Sequence, residues 1–228
     1  MENYPLVVLP VDDKDIEKTI AIAVDKKIDM VELRIDQFSN FDIEYVVEKA
    51  KVVKKYDLGM IATVRSKDEG GTDIPDEDRI KIFEAVVEYA DILDVELTSK
   101  SINRKVVELA KDEGKLSLIS YHDFEKTPEN EEIQEIIDAS AQLGADIIKY
   151  AFKINNVDDI RRLMCVTAKN SHRKLVAVGM GELGKITRVA GFFFGSVLTY
   201  TYIGRAFAPG QIEAGKLIEE LKFYGLRS

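Results

Sequence analysis

Eight short β-branched runs alternating with longer amphipathic stretches predict an α/β protein. Three observations narrow this to a closed (β/α)8 TIM barrel. About eight strand-then-helix units fit into 228 residues, a size at which such units close on themselves. The first run continues as "LPVDDKD", without the glycine-rich turn that an open doubly wound sheet wants there. No linker or low-complexity tract divides the chain, so residues 1–228 are read as a single catalytic barrel domain.

The strand candidates, in order, are 6–11 "LVVLPV", 30–36 "MVELRID", 59–65 "GMIATVR" and 92–97 "ILDVEL". They continue with 116–122 "LSLISYH", 146–152 "DIIKYAF", 174–180 "KLVAVGM" and 197–203 "VLTYTYI". Closure requires the first strand to pair with the eighth. Helical patterns lie between them. "DKDIEKTIAIAVDKK" places Ile16, Ile20 and Val24 at spacing four, expected to share one buried face. "NEEIQEIIDASAQLG" opens with acids, which suit the helix dipole, and ends at Gly144. "GQIEAGKLIEELKFYG" reads as the last helix. The longest connection, "SKDEGGTDIPDED", is polar and reads as a flexible connector or an active-site lid.

Composition bounds the partners. Hydrophobic residues make up 46% of the chain, enough for a sizeable core. Charged residues make up 32%, and Trp is missing, a weak sign of adaptation to heat. The net charge is −9 with no basic stripe, which argues against nucleic acid or an anionic membrane as partner. A single cysteine, Cys165, rules out an intramolecular disulfide and fits the reducing cytoplasm. Within "IRRLMCVTAK" it is expected to fill a small core position. The start, "MENYPLVVLPV", has no basic region, so no signal peptide is expected. The longest apolar run, "VAGFFFGSVLTYTYIG", is broken by Gly and Ser and falls short of the roughly 20 residues of a membrane span.

Chemistry in such a barrel sits at the C-terminal ends of the strands. There "ADIIKYAF" buries Lys149 in an apolar strand. An unpaired buried ammonium is costly and tends to lose its proton, and a neutral amine is a nucleophile. The ordinary alternative is that it reaches a rim or pairs with a carboxylate. Glu32, Arg34 and Asp36 follow one another at spacing two, so alternation puts all three on the barrel face. Arg65 ends the third strand and Glu69 follows it; His122 ends the fifth; Arg188 and Gln211 follow the seventh and eighth. Each has a structural reading: an ion pair, a core histidine, a surface arginine. Together, three arginines and two glutamates at one end exceed what a fold needs and point to a pocket for a small anionic molecule. His172, in "AKNSHRK", reads as solvated.

A neutral Lys149, its proton affinity lowered by desolvation and nearby arginines, attacks a ketone or aldehyde to form a Schiff base. The imine acidifies the adjacent C–H, and His122 is placed to remove that proton, with Glu69 holding the imidazole tautomer. No group has metal-ligand spacing, and the chemistry asks for no cofactor. No phosphate-cradling loop follows strand seven or eight, which weakens a class I aldolase acting on sugar phosphates, the alternative Schiff-base lyase.

Six segments in this order resemble the type I 3-dehydroquinate dehydratases: "ELRID", "TVRSKDEGG", "SYHDF", "IIKYAF", "GMGELGKITR" and "APGQI". The resemblance implies a (β/α)8 barrel of the shikimate pathway that converts 3-dehydroquinate to 3-dehydroshikimate and water. It makes Lys149 the Schiff-base residue on the C3 ketone and His122 the acid and base at C2 and C1. Glu69 tunes His122, and Arg188 pairs with the substrate carboxylate. Glu32, Arg34 and Arg65 hold the ring hydroxyls, while Gln211 closes over the substrate on a lid. It also implies a homodimer. One position departs from the pattern: Phe207 stands in "RAFAPGQ" where the family usually has a substrate-contacting Ser, and impaired substrate binding is the expected result. A catalytically silent barrel is the remaining alternative. Thr187 before Arg188 replaces the usual Ser, a milder change.

Overall fold

Period-two alternation separates the inside of the barrel from the outside. The computed structural model describes residues 5–228. Its strands are β1 (Leu6–Val11), β2 (Met30–Arg34), β3 (Gly59–Thr63), β4 (Ile92–Glu96), β5 (Leu116–Asp123), β6 (Ile147–Lys153), β7 (Leu175–Met180) and β8 (Leu198–Tyr202). All neighbouring pairs are parallel. The strands run in order from β1 to β7, and β8 returns to pair with β1 through Leu6–Leu198, Val7–Thr199 and Val8–Tyr200. The ring meets between β7 and β8 at the Leu175–Ser196 bridge, where Val197 N donates to Leu175 O at 2.8 Å. This is the closed α/β barrel expected from the sequence. A two-residue strand, β9 (Ile212–Glu213), adds to β8.

The helices are α1 (Ile16–Asp25), α2 (Ile43–Lys54), α3 (Asp76–Val86), α4 (Asn103–Asp112), α5 (Asn130–Gln142), α6 (Val157–Lys169), the short α7 (Thr187–Ala190) and α8 (Ala214–Phe223). Outward residues such as Val7, Leu9, Leu33 and Ala62 pack with helix residues such as Ile20, Val46 and Phe83. Inward residues Val8, Met30, Ile61, Ile92, Leu118, Ile147, Val176 and Leu198 form a separate apolar plug inside the barrel. Above that plug the same inward alternation turns polar, which creates the site.

Three local expectations need correcting. Val24 is 43% exposed, while Ile16, Ile20 and Ala23 are buried. Seven residues return a helix to within about 20° of its starting face, whereas eight overshoot by about 80°. Cys165 is exposed rather than a core residue. The buried stripe of α6 runs through Leu163, Val166 and Thr167, and Cys165 falls on the far side. The last helix starts at Ala214 rather than near Gly210, because Glu213 caps it by accepting from Gly215 N at 2.8 Å. His172 is exposed, as expected. Among the described residues no helix is long and apolar enough to cross a membrane.

Candidate active site

Eight residues singled out from the sequence line one cavity of about 130 Å³ at the C-terminal end of the barrel: Glu32, Arg34, Arg65, Glu69, His122, Lys149, Arg188 and Gln211. Alternation accounts for most of this. On β2, Glu32 and Arg34 follow the inward Met30. Asp36, expected on the same face, does not line the cavity, because β2 ends at Arg34 and the chain turns into a 3-10 helix, Ile35–Gln37, which breaks the alternation. On β6, Lys149 follows the inward Ile147, and its strand partner on β5 is Ser120.

Lys149 is 6% exposed. Its Nζ lies 3.2 Å from Asp94 Oδ2 and 3.6 Å from Glu32 Oε1. Its nearest charges are therefore carboxylates, not the arginines that the sequence suggested. Glu32 also accepts from Thr63 Oγ1 at 3.0 Å. The face of the Tyr200 ring lies 4.3 Å from the same Nζ.

Beneath this amine runs a fully buried charge network. Arg65 donates to Asp94 at 2.9 Å, to Glu96 at 3.0 Å and to Ser120 at 2.6 Å. Glu96 in turn accepts from Arg79 of α3 at 2.5 Å and from Ser66 N at 2.9 Å. Burial alone would lower the proton affinity of Arg65, but Asp94 and Glu96 overcome it and hold it well above the usual value. Burial would raise Asp94, yet Arg65 and Lys149 hold it well below the ordinary carboxylate range. Arg65 was expected to grip substrate hydroxyls. Its outer nitrogens are instead engaged with the barrel's own carboxylates and Ser120.

Glu69 sits at the end of a one-turn 3-10 helix, Lys67–Glu69. The turn is tight: Gly71 N donates to Ser66 O at 2.8 Å, and a Cβ on Gly71 would fall 2.0 Å from Arg65 O. The loop, expected as a flexible connector or an active-site lid, thus opens with a turn wound against the end of β3, and its Glu69 and Gly70 line the cavity. Glu69 Oε2 lies 2.8 Å from His122 Nδ1 and accepts from His122 N at 3.0 Å. Its other oxygen accepts from Thr98 Oγ1. Burial is the largest influence on Glu69 and, against the pull of Arg65 and Thr98, lifts its carboxyl to about 7. Burial, then the charges of Arg65 and Lys149, hold His122 well below the usual histidine value. The imidazole is therefore neutral at neutral pH and available as a base.

Arg188 stands apart electrostatically. Arg34 has Asp36, with a bidentate contact at 2.8 and 3.0 Å. Arg65 has Asp94 and Glu96. Arg188 is 2% exposed, and its Nε and Nη2 have no hydrogen-bond partner among the described residues. Burial drives its pKa down to about 10. The chain fixes it there by close packing: Gly184 approaches Gly179 so nearly that a Cβ on Gly184 would lie 2.4 Å from its carbonyl carbon. Thr187 Oγ1 accepts from Gly179 N at 2.9 Å and donates to Gly184 O at 2.7 Å. A serine could make the same two bonds, which is why threonine is tolerated. A buried guanidinium aimed into a cavity with no carboxylate of its own suits an anionic ligand.

The loop after β8 covers the cavity. Gln211 Oε1 accepts from Phe207 N at 2.7 Å and from Ala208 N at 3.3 Å, so its carbonyl end holds the loop's own turn. Gly181 N donates to Pro209 O at 3.2 Å, and only glycine at 210, with φ of 80°, fits against the Gly181 backbone. Phe207 is half-buried and lines the cavity. Asp94, Glu96 and Tyr200 were missed from the sequence. The signal was present as alternation in "ILDVEL" and "VLTYTYI", the pattern that marked Glu32 and Arg34.

Comparison with known proteins agrees with this geometry. Residues 6–228 match the family model described as type I 3-dehydroquinase. A 3-dehydroquinate dehydratase of Aquifex aeolicus is 40% identical over 222 residues, covering 97% of this chain and 100% of the relative. Its crystal structure superposes with a TM-score of 0.90 at 38% identity, over 96% of this chain and 99% of that one. A type I 3-dehydroquinate dehydratase of Clostridium difficile, solved with covalently modified comenic acid, gives a TM-score of 0.90 at 31% identity. It covers 98% of this chain and 93% of its own.

Proposed function

The chain belongs to the type I 3-dehydroquinase family and is a hydro-lyase, a 3-dehydroquinate dehydratase, and from that premise we propose how its residues divide the reaction. Lys149 forms a Schiff base with the C3 ketone of 3-dehydroquinate. To attack, the amine must shed a proton; Glu32 at 3.6 Å is the acceptor within reach, because Arg65 holds Asp94, at 3.2 Å, as the ionised carboxylate. The carbinolamine loses water, and the cation is restored as the iminium between the same two carboxylates, which stabilise it. His122 then removes a proton from C2. The C–H electron pair forms a C2=C3 bond as the iminium π pair moves onto nitrogen, giving an enamine. The nitrogen pair then returns to restore the iminium while the C2=C3 pair forms the C1=C2 bond and expels the C1 hydroxyl, protonated by His122. Hydrolysis of the imine frees 3-dehydroshikimate and Lys149. The net change is loss of one water.

Arg188 holds the substrate carboxylate, and Glu32 and Arg34 meet the ring hydroxyls. Arg65 acts by fixing Asp94, and Gln211 by closing the loop. The observation that carries this reading is Lys149, 6% exposed, opening into one cavity with the His122–Glu69 pair and an unpartnered Arg188. Borohydride reduction in the presence of 3-dehydroquinate tests it. A ligand-sized adduct on the Lys149 peptide is expected; none on folded protein would sink it and favour the silent barrel.

The pH profile follows from Glu69. Below about pH 7 its carboxyl gains a proton and donates to His122 Nδ1. The imidazole hydrogen then moves to Nε2, and the base facing the cavity is lost. We expect kcat/KM to rise with pH through an inflection near 7, and Glu69→Gln to remove that inflection. An inflection that persists in the glutamine variant would assign it to another group.

Phe207 fills space and donates no side-chain hydrogen bond. Phe207→Ser is expected to lower KM for 3-dehydroquinate by about tenfold, the worth of one hydrogen bond to a polar ligand. Unchanged kinetics would show that the aromatic ring leaves binding intact. The family resemblance further supports a cytoplasmic homodimer, for which light scattering on the purified protein should give twice the chain mass.

A further inference from the structure

Arg188 is not the only buried polar group facing the cavity without a partner. Tyr200, on β8, is 4% exposed and lines the same cavity. Its hydroxyl makes no hydrogen bond among the described residues. Tyr150 on β6 shows how a buried strand tyrosine is otherwise accommodated: its hydroxyl lies 2.8 Å from Thr167 Oγ1. An unpaired buried hydroxyl is unfavourable in the free protein, and that cost persists where a ligand removes it. Arg188 lines that cavity too. The ring face, meanwhile, lies 4.3 Å from Lys149 Nζ. One side chain therefore covers the nucleophilic nitrogen and faces the same cavity as the anion-seeking guanidinium.

We propose that Tyr200 is a further substrate-contacting residue: its hydroxyl donates a hydrogen bond to the carboxylate held by Arg188, and its ring face stabilises the iminium cation formed on Lys149. This rests on the carboxylate substrate and Schiff base set out above. The two parts use different atoms. The hydroxyl contributes to binding, and the ring contributes to the cationic intermediate through its π face.

Tyr200→Phe keeps the ring and removes only the unpaired oxygen. KM for 3-dehydroquinate should rise about tenfold with kcat within about threefold, while the melting temperature stays level or rises. A wild-type KM, or a lower melting temperature with unchanged kinetics, would make the hydroxyl structural and overturn its part. Tyr200→Leu removes the ring face as well. At saturating ligand, its borohydride trapping should be about tenfold slower than that of the phenylalanine variant. Equal trapping rates in the two folded variants would overturn the role of the ring. Calorimetry with shikimate, a cyclic carboxylate with no ketone, separates this proposal from the reading beneath it. Tyr200→Phe should bind shikimate about tenfold more weakly than wild type, whether or not an imine forms, and equal binding overturns the contact. If wild-type protein gives no adduct yet shows this difference, the Schiff-base reading fails and the Tyr200 contact stands.

Discussion

Lys149→Met should lower kcat for 3-dehydroquinate by about 10^4-fold or more and abolish the borohydride adduct. Methionine keeps the length of the side chain and removes the only nucleophile in the proposed route. The remaining groups bind but have no imine through which to acidify C2. The fold should survive. Asp94 retains Arg65 at 2.9 Å and Ser120 at 2.7 Å, and Glu32 retains Thr63 at 3.0 Å, so neither carboxylate is stranded. A melting curve close to wild type, together with lost turnover, is the expected pair of results. Residual turnover within about a hundredfold of wild type would mean that water is lost without a covalent intermediate.

His122→Ala separates imine formation from proton transfer. Here kcat should fall by about 10^2 to 10^4-fold, the range of one general acid–base group. Lys149 is untouched, so the adduct should still form, and the imine should accumulate because the next step is blocked. Mass spectrometry after reduction would find substrate-derived rather than product-derived mass on the Lys149 peptide. Loss of the adduct with the fold intact would instead place His122 in the capture step alone.

Much of the architecture was legible in the sequence because strand and helix periods are local properties. The β-branched runs fell within a few residues of the observed strands, and the pairing of the first with the eighth followed from counting units. The errors have local geometric causes. Val24 sits at spacing four, which matches a helix face only over short spans. Cys165 is apolar in type but sits off the buried stripe. Residue type alone does not fix the side of a helix that a residue occupies.

The site divides in the same way. Its polar residues stood out because an inward position at a strand end has few structural uses for Glu, Arg, His or Lys. Glu32, Arg34, Lys149 and His122 could be read from alternation, and the order of the segments pointed to the family. Which group pairs with which depends on distances between strands remote in the chain. Asp94 lies 55 residues from Lys149, yet 3.2 Å from its amine. Such contacts surround the amine with carboxylates and commit Arg65 to Asp94, Glu96 and Ser120, while Arg188 Nε and Nη2 and the Tyr200 hydroxyl find no partner among the described residues. The sequence by itself determined the barrel, the end at which chemistry occurs and the residue types assembled there. Only the tertiary structure decided which charges are spent on one another and which remain for a ligand, because Coulomb and hydrogen-bond energies depend on separation in space and on burial, neither of which is carried by order along the chain.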